Sequence, residues 1–217
     1  NGKNYGEIYD TIMSNLYLNK KRNIWAEKNQ LVWSKTDEFL NLFTNGYVIH
    51  ILRDPRNVLA SFKFKTNSKY PACLTSIFNS LDAMDNILKN KKKHRKRFIY
   101  LRYEDLTKNP QKSMDKIFKL LNVKKIKIKS NTKNFNYMGK KWVVNSSFQN
   151  KIKSITEFDI NQSNNSFKKN LSSIELYLVE KICGSFMKKF KYRIKNNNIK
   201  VSKNELNKLI NKKYKNT

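Results

Sequence analysis

Arg53 and Ser61 are the residues of this chain whose types and spacing point most directly to chemistry. Arg53 follows an apolar, β-branched run at residues 47–52, which is typical of a central strand buried in a parallel sheet, and Ser61 lies eight residues further on. A strand that leads directly into a helix presents free backbone N–H groups to an anion, and a guanidinium and a hydroxyl at that edge add further donors. This pattern predicts an anion site. The alternative interpretation is a capped helix whose Arg53 pairs with a nearby acid.

The elements that would position this site alternate between strand and helix. Strands are predicted where apolar residues run continuously, and helices where apolar residues recur every three or four positions behind a capping residue. In chain order the pattern predicts a helix at 5–18, a helix at 37–43, a strand at 47–52, a helix from Pro55 to about Phe64 capped by Asp54, a helix at 74–88, a strand at 98–101, a helix after Asn109 and Pro110, and a helix at 173–190 opened by a Ser172–Glu175 capping box. The alternation indicates an α/β fold, with a parallel sheet flanked by helices.

Several local signals give finer expectations. Trp25 to Lys28 has the pattern of a short strand, and Ser34 with Asp37 resembles a capping box. Gly46 is placed to end the second helix as a C-cap. The apolar pattern weakens from 124 to 170, so we expect a long functional or mobile segment there.

Composition excludes several classes of protein. With 217 residues, of which 39% are hydrophobic, the chain can bury one core, and wholesale disorder is not expected. The chain has only five Gly, and their positions allow neither of the glycine-rich nucleotide loops, G-x-G-x-x-G or G-x-x-x-x-G-K-[ST]. Two Cys and two His, far apart in sequence, do not form a paired-ligand zinc site, so no metal is expected. No apolar run is long enough for a transmembrane segment, which predicts a soluble protein, cytoplasmic if the source is prokaryotic.

Two segments together resemble the sulfotransferases. The first is H-I-L-R-D-P-R-N-V-L-A-S at residues 50–61, and the second is Y-L-R-Y-E-D-L at residues 100–106, followed by N-P. The resemblance implies a sulfotransferase fold similar to that of P-loop nucleotide hydrolases. It also implies the donor 3′-phosphoadenosine 5′-phosphosulfate and the product adenosine 3′,5′-bisphosphate. Arg53 and Ser61 match the family's ligands of the 3′-phosphate, Tyr103 matches the tyrosine beside the adenine, and Glu104 and Asp105 match acids that brace the strand end.

The resemblance extends upstream to W-A-E-K at residues 25–28, which is similar to a W-x-E-K-[ST]-P element of bacterial and tyrosylprotein-like members. Sulfuryl transfer needs a base for the acceptor proton and a cation for the leaving oxygen. We therefore assign Glu27 as the base and Lys28 as the cation. A surface Glu and Lys without a catalytic role are the alternative interpretation.

The resemblance is looser at both ends of the chain. Family members carry Arg and Gly in a loop over the 3′-phosphate, where this chain has Asn161-Gln162-Ser163, and Lys168 is the candidate replacement. The family's first strand and its P-K-[SA]-G-T-T phosphosulfate loop have no match. We expect a sulfotransferase domain at residues 1–194 that is incomplete at its N-terminus and inactive as a fragment, with a basic, Lys- and Asn-rich tail at 195–217 that forms at most a frayed helix.

A formal net charge of +30 raises a second function class, a non-catalytic domain that binds anions or nucleic acid. Of the 46 basic residues 39 are Lys, whereas base-reading proteins favour Arg. We therefore expect no specific nucleic-acid partner. The sulfate acceptor stays open among carbohydrate, lipid, small alcohol and tyrosine, with a hydroxyl or an amine as the acceptor group, and the oligomeric state is open as well.

Overall fold

Two parallel strands and the helices around them organise the part of the chain that can be described. The computed structural model describes residues 4–17, 24–63, 71–128, 136–137, 140–141, 160–194 and 200–211. The elements in chain order are α1 (Tyr5–Tyr17), a 3-10 turn (Trp33–Lys35), α2 (Thr36–Leu42), β1 (Val48–Leu52), α3 (Pro55–Lys63), α4 (Pro71–Lys93), β2 (Phe98–Arg102), α5 (Tyr103–Lys108), α6 (Pro110–Leu120), β3 (Asn136–Tyr137), β4 (Lys140–Lys141), α7 (Ile160–Asn170), α8 (Ser173–Lys189) and α9 (Lys203–Ile210).

Strand β1 pairs with β2 in parallel, in a register that runs from Val48 opposite Phe98 to Leu52 opposite Arg102. Helices α3 and α4 connect the two strands, so the predicted alternation of strand and helix is confirmed for this part of the chain. The carboxyl ends of both strands therefore lie at one edge, where α3 and α5 begin. The small parallel sheet with its many helices confirms the predicted α/β class.

The helix starts follow their local capping signals. The backbone N–H of Arg56 donates to Oδ1 of Asp54 at 2.9 Å, which is the predicted N-cap of α3. Asn109 caps α6 by accepting from the backbone N–H of Lys112 at 3.0 Å. The capping box of Ser172 and Glu175 opens α8 as predicted.

Four local expectations are wrong. Residues 25–28 form irregular chain and no strand. The Ser34–Asp37 capping box is not formed, because a 3-10 turn leads into α2 and Lys35 takes the cap position without a side-chain hydrogen bond. Gly46 lies beyond the C-cap of α2, which is Phe43. Strand β1 is not buried on both faces, since Ile49 and Ile51 are exposed.

The segment from 124 to 170 contains a helix that the sequence pattern did not indicate. Helix α7 occupies its last eleven residues and includes Asn161, Gln162 and Ser163, which were expected in a loop. Its Phe167 belongs to the hydrophobic core although its neighbours are polar. One buried aromatic ring and tertiary packing on α3 hold a helix whose own apolar periodicity is weak.

The core lies where α3, α4 and α8 pack together behind the sheet. The largest fully buried side chains include Leu59 of α3, Ile77 and Met84 of α4, and Met187 of α8. Leu209 of α9 is buried with this cluster, and a Ser202–Glu205 capping box opens α9. The basic tail thus contributes a capped helix and a core residue, which is more order than the expected frayed helix.

His50 lies in the middle of β1, stacked on Trp33 and edge-on to Phe98. Burial lowers the pKa of His50 from 6.5 to about 4. A group with a depressed native pKa adds stability above its unfolded pKa, and that stability is lost as the pH falls from about 6.5 towards 4, because the unfolded chain binds the proton first.

We therefore expect acid to destabilise the protein through His50. Between pH 7 and 5 the free energy of unfolding should fall by about 2 kcal/mol more in the wild type than in His50→Gln, which does not titrate. Urea denaturation at the two pH values measures this difference. An equal loss in both proteins would show that other groups carry the acid sensitivity.

Candidate active site

The candidate site lies at the carboxyl edge of the two parallel strands. Arg53 directly follows β1, and Tyr103 is the first residue of α5, directly after β2. The guanidinium carbon of Arg53 lies 4.9 Å from the centroid of the Tyr103 ring, which is a cation–π distance. Two of the predicted site residues, fifty positions apart in sequence, are therefore brought together at the edge where open α/β sheets bind ligands.

Ser61 lies on the helix that begins at this edge. Ser61 is six positions after Pro55, the first residue of α3, so it lies about 9 Å along the helix axis from the start. Its side chain is partly exposed. The position of the Ser61 hydroxyl depends on the direction of α3. The placement of α3 therefore determines whether this hydroxyl can reach a ligand that Arg53 binds.

A buried ion cluster centred on Arg56 places the start of α3. Nη2 of Arg56 lies 2.7 Å from Oδ2 of Asp54, and Nη1 of Arg56 lies 2.7 Å from Oε1 of Glu180 in α8. Nη1 also donates to the Arg193 carbonyl at 2.9 Å, and the guanidinium lies over the Phe167 ring. Burial opposes the charge of Arg56, but the hydrogen bonds and charges of Asp54 and Glu180 outweigh it, so the pKa of Arg56 is raised.

Two further residues tie α3 to its neighbours. Asn57 is fully buried, donates to the Asn164 carbonyl at 2.9 Å and accepts from the backbone N–H of Phe167 at 3.2 Å. At the other end of α3, Lys63 lies 2.9 Å from a carboxylate oxygen of Glu175, the residue that also forms the α8 capping box. The helix that carries Ser61 is therefore fixed at its start, its first turn and its end.

Glu104 braces the edge from the β2 side. One carboxylate oxygen accepts from the backbone N–H of Asp54 at 2.8 Å, and the other accepts from the Tyr192 hydroxyl at 3.0 Å. Burial and the adjacent Glu104 carboxylate raise the pKa of Tyr192, which keeps this hydroxyl protonated as a donor. The resemblance implied a bracing role for both acids, and the structure shows this contact for Glu104, whereas Asp105 is exposed and lies 3.9 Å from Nε of Arg102.

Glu27 and Lys28 belong to a different set of contacts. Glu27 accepts a hydrogen bond from the hydroxyl of Tyr9 in α1. The Tyr9 and Trp25 rings each lie 5.9 Å from the ring of Phe43, which precedes the amino end of β1. Lys28 is exposed. These contacts group the proposed base with α1 and α2, while Arg53 and Tyr103 are grouped at the carboxyl ends of the strands.

Lys168 lies on α7 with an exposed side chain. Its helix packs on α3, because Asn57 binds the backbone of α7 at Asn164 and Phe167. The structure thus places Lys168 on the helix next to the one that carries Ser61. Its role as a phosphate ligand stays a prediction.

Sequence reasoning missed Arg56, Asn57 and Tyr192, which hold the site together. Arg56 and Asn57 follow Arg53 within the quoted motif, so their position in it was a usable signal. Their partners Glu180, Asn164 and Phe167 are more than a hundred residues away. No local pattern gives such pairings, and the same holds for Tyr192 with Glu104.

The described residues hold no group of three or more His, Cys, Asp or Glu side chains placed to bind a metal ion. Nor does any helix in the described ranges have both the length and the apolar character needed to cross a membrane.

Comparisons with known proteins bear on the fold and on the family of this chain. The fold resembles a solved structure described as the sulfotransferase domain from the curacin biosynthetic pathway, with a TM-score of 0.59 and 15% sequence identity, over 88% of this chain and 69% of that one. A search of curated proteins found no match. This likeness shows the class of fold, which is α/β with a parallel sheet.

The sequence model of the sulfotransferase family matches residues 5–126, which is more than half of the chain. This chain belongs to the sulfotransferase family. The match includes α1, both strands of the parallel sheet, and Arg53, Ser61 and Tyr103.

Removing the Glu104 carboxylate should destabilise the edge of the sheet. We expect Glu104→Ala to lower the free energy of unfolding by about 2–4 kcal/mol, because the Asp54 N–H and the Tyr192 hydroxyl both lose their acceptor in a buried place. Urea denaturation measures the change. Asp105→Ala is the matched control, since the Asp105 side chain is 57% exposed, and its effect should stay within about 0.5 kcal/mol. Equal effects of the two variants would contradict the bracing role.

Proposed function

We propose that this protein transfers a sulfuryl group from 3′-phosphoadenosine 5′-phosphosulfate to a hydroxyl or amine acceptor. The observation that carries the proposal is the contact of Arg53 with Tyr103 at the carboxyl edge of β1 and β2. It supports a site in which one cation and one aromatic ring meet a nucleotide whose ribose carries a phosphate. Membership of the sulfotransferase family supports the transfer chemistry.

In this proposal Arg53 and Ser61 bind the 3′-phosphate, and Tyr103 flanks the adenine. Arg53 supplies charge-assisted hydrogen bonds, and Ser61 supplies a hydroxyl donor from the second turn of α3. Lys168 adds a point charge from α7. The fixed placement of α3 by Arg56, Asn57 and Lys63 supports this assignment, because a phosphate ligand is effective only where its geometry is held in advance.

Glu27 and Lys28 carry the chemical step. Glu27 accepts the proton of the acceptor hydroxyl while the acceptor oxygen bonds to sulfur, and Lys28 neutralises the charge that grows on the leaving phosphate oxygen. The step is an in-line displacement like phosphoryl transfer, in which positioning and charge neutralisation supply most of the rate. No metal ion takes part in the proposed step.

Nucleotide binding tests the assignment of Arg53. We expect Arg53→Met to weaken the binding of adenosine 3′,5′-bisphosphate by about 10- to 100-fold, since a charge-assisted hydrogen bond contributes about 1.5–3 kcal/mol. Isothermal titration calorimetry at constant salt measures this loss. Arg95→Met is the matched control, because Arg95 is exposed in the turn before β2, and its affinity should be that of the wild type. Equal losses in the two variants would show that diffuse positive charge, and no defined site, binds the nucleotide.

Transfer kinetics test the assignment of Glu27. In the full-length protein we expect Glu27→Gln to lower kcat by about 10²- to 10⁴-fold, because the amide cannot take the acceptor proton. The affinity for adenosine 3′,5′-bisphosphate should not change. Transfer of radiolabelled sulfate is the measurement, with the exposed Glu38→Gln of α2 as the control. Unchanged transfer in Glu27→Gln would remove Glu27 as the base.

A further inference from the structure

Helix α1 turns an apolar face to solvent. Tyr5, Ile8, Ile12 and Leu16 recur at helical spacing and are 85%, 45%, 51% and 67% exposed. At about 100° per residue they fall within one narrow stripe of the helix. We call these four residues the α1 stripe.

The α1 stripe is not the face with which α1 packs on the protein. Contact with α2 is made at Gly6, where an added Cβ would lie 2.4 Å from the Leu42 carbonyl oxygen. Gly6 points about 100° away from Tyr5 around the helix axis. The close approach at Gly6 therefore fixes the rotation of α1 and leaves the α1 stripe at the surface.

The α1 stripe borders the proposed base. Tyr9 lies beside the stripe on α1, and its hydroxyl donates to the Glu27 carboxylate. The Tyr9 ring contacts Trp25, whose Nε1 donates to Asp10 of α1 at 2.7 Å. Two side chains of α1 thus hold the 25–27 segment, so that Glu27 lies next to the apolar surface.

The charge of α1 differs from that of the chain as a whole. The helix contains Glu7 and Asp10 and neither Lys nor Arg, in a protein with a formal net charge of +30. An anionic acceptor, such as a uronic acid or a sulfated sugar, would meet carboxylates here. An uncharged acceptor with an apolar body would meet the aliphatic and aromatic side chains of α1, a helix without Lys or Arg.

We propose that the acceptor is an uncharged, apolar alcohol or phenol whose hydrocarbon body lies on the α1 stripe, with its hydroxyl at Glu27. This inference rests on the proposed function, because it takes Glu27 as the base. In the step the acceptor oxygen forms a bond to sulfur, the bond between sulfur and the phosphate oxygen of the donor breaks, and the acceptor proton passes to Glu27. The leaving phosphate keeps the electron pair of the broken bond.

Acceptor binding and transfer in the full-length protein, loaded with adenosine 3′,5′-bisphosphate or the sulfate donor, test the inference. The probes are 2-naphthol as the apolar phenol, glucose as the neutral polar alcohol and glucuronic acid as the anionic one. We expect 2-naphthol to bind at least about tenfold more tightly than either sugar, and to be sulfated with the higher kcat/KM. Either sugar binding as tightly as 2-naphthol would overturn the inference.

Variants locate the binding surface. The double variant Ile8→Asn and Ile12→Asn, and separately Tyr5→Ser, should weaken the binding of 2-naphthol by about tenfold or more and leave the affinity for adenosine 3′,5′-bisphosphate unchanged. Ile126→Asn is the matched control, because Ile126 is 65% exposed outside α1, and it should bind 2-naphthol as the wild type does. Unchanged 2-naphthol binding in both α1 variants would overturn the inference.

Sedimentation velocity tests another occupant of the α1 stripe, a second copy of the chain. A monomeric wild type agrees with an acceptor surface, whereas a dimer that the α1 variants dissociate would make the stripe a subunit interface and overturn the inference. The nucleotide affinity distinguishes this failure from failure of the proposed function. If Arg53→Met still weakens nucleotide binding while the α1 variants bind 2-naphthol normally, the donor site stands and only the acceptor assignment falls.

Discussion

The rest of the site depends on the ion pairs and hydrogen bonds of the buried Arg56 guanidinium. It joins the end of β1, through Asp54, to α8, through Glu180, and to the chain after α8, through the Arg193 carbonyl. Removing one member of such a cluster leaves an uncompensated buried charge, which costs about 3–5 kcal/mol. The cluster therefore enforces one placement of α3 relative to α8, and with it the position of Ser61 in the second turn of α3.

The placement of α3 explains how a site can form at the edge of a parallel sheet in which two strands are described. Arg53 lies between the end of β1 and Asp54, the N-cap of α3. The hydrogen bonds that start α3 therefore also hold the backbone next to Arg53. Glu104 holds the Asp54 N–H from the side of β2, and Tyr103, its neighbour in sequence, contacts Arg53. Rigidity at the edge is thus shared by the two strand ends, and a ligand would meet donors that are already oriented.

The sequence predicted the parts of this arrangement that local chemistry decides. Asp54, Asn109 and Ser172 cap their helices because an oxygen side chain before a helix satisfies free N–H groups wherever the rest of the fold lies. Both strands of the parallel sheet were likewise recognised from their apolar runs. Helix α7 and the irregular chain at 25–28 could not be read locally, because packing on α3 and the contacts of Trp25 decide them.

The positive charge of the chain lies at the surface, and some of the basic side chains form ion pairs and hydrogen bonds within the fold. In the basic run before β2, Lys89 pairs with Asp85, Lys93 and His94 bind Asp37, and Arg97 donates to the carbonyls of Leu40, Phe43 and Thr44. These contacts connect the end of α4 to α2 and so help to set the amino end of β1. Part of the densest cluster of cations is therefore engaged in holding the fold, while Arg95 and Lys96 are exposed. Since long-range attraction depends on net charge more than on particular contacts, the same surface can still steer an anionic donor towards Arg53.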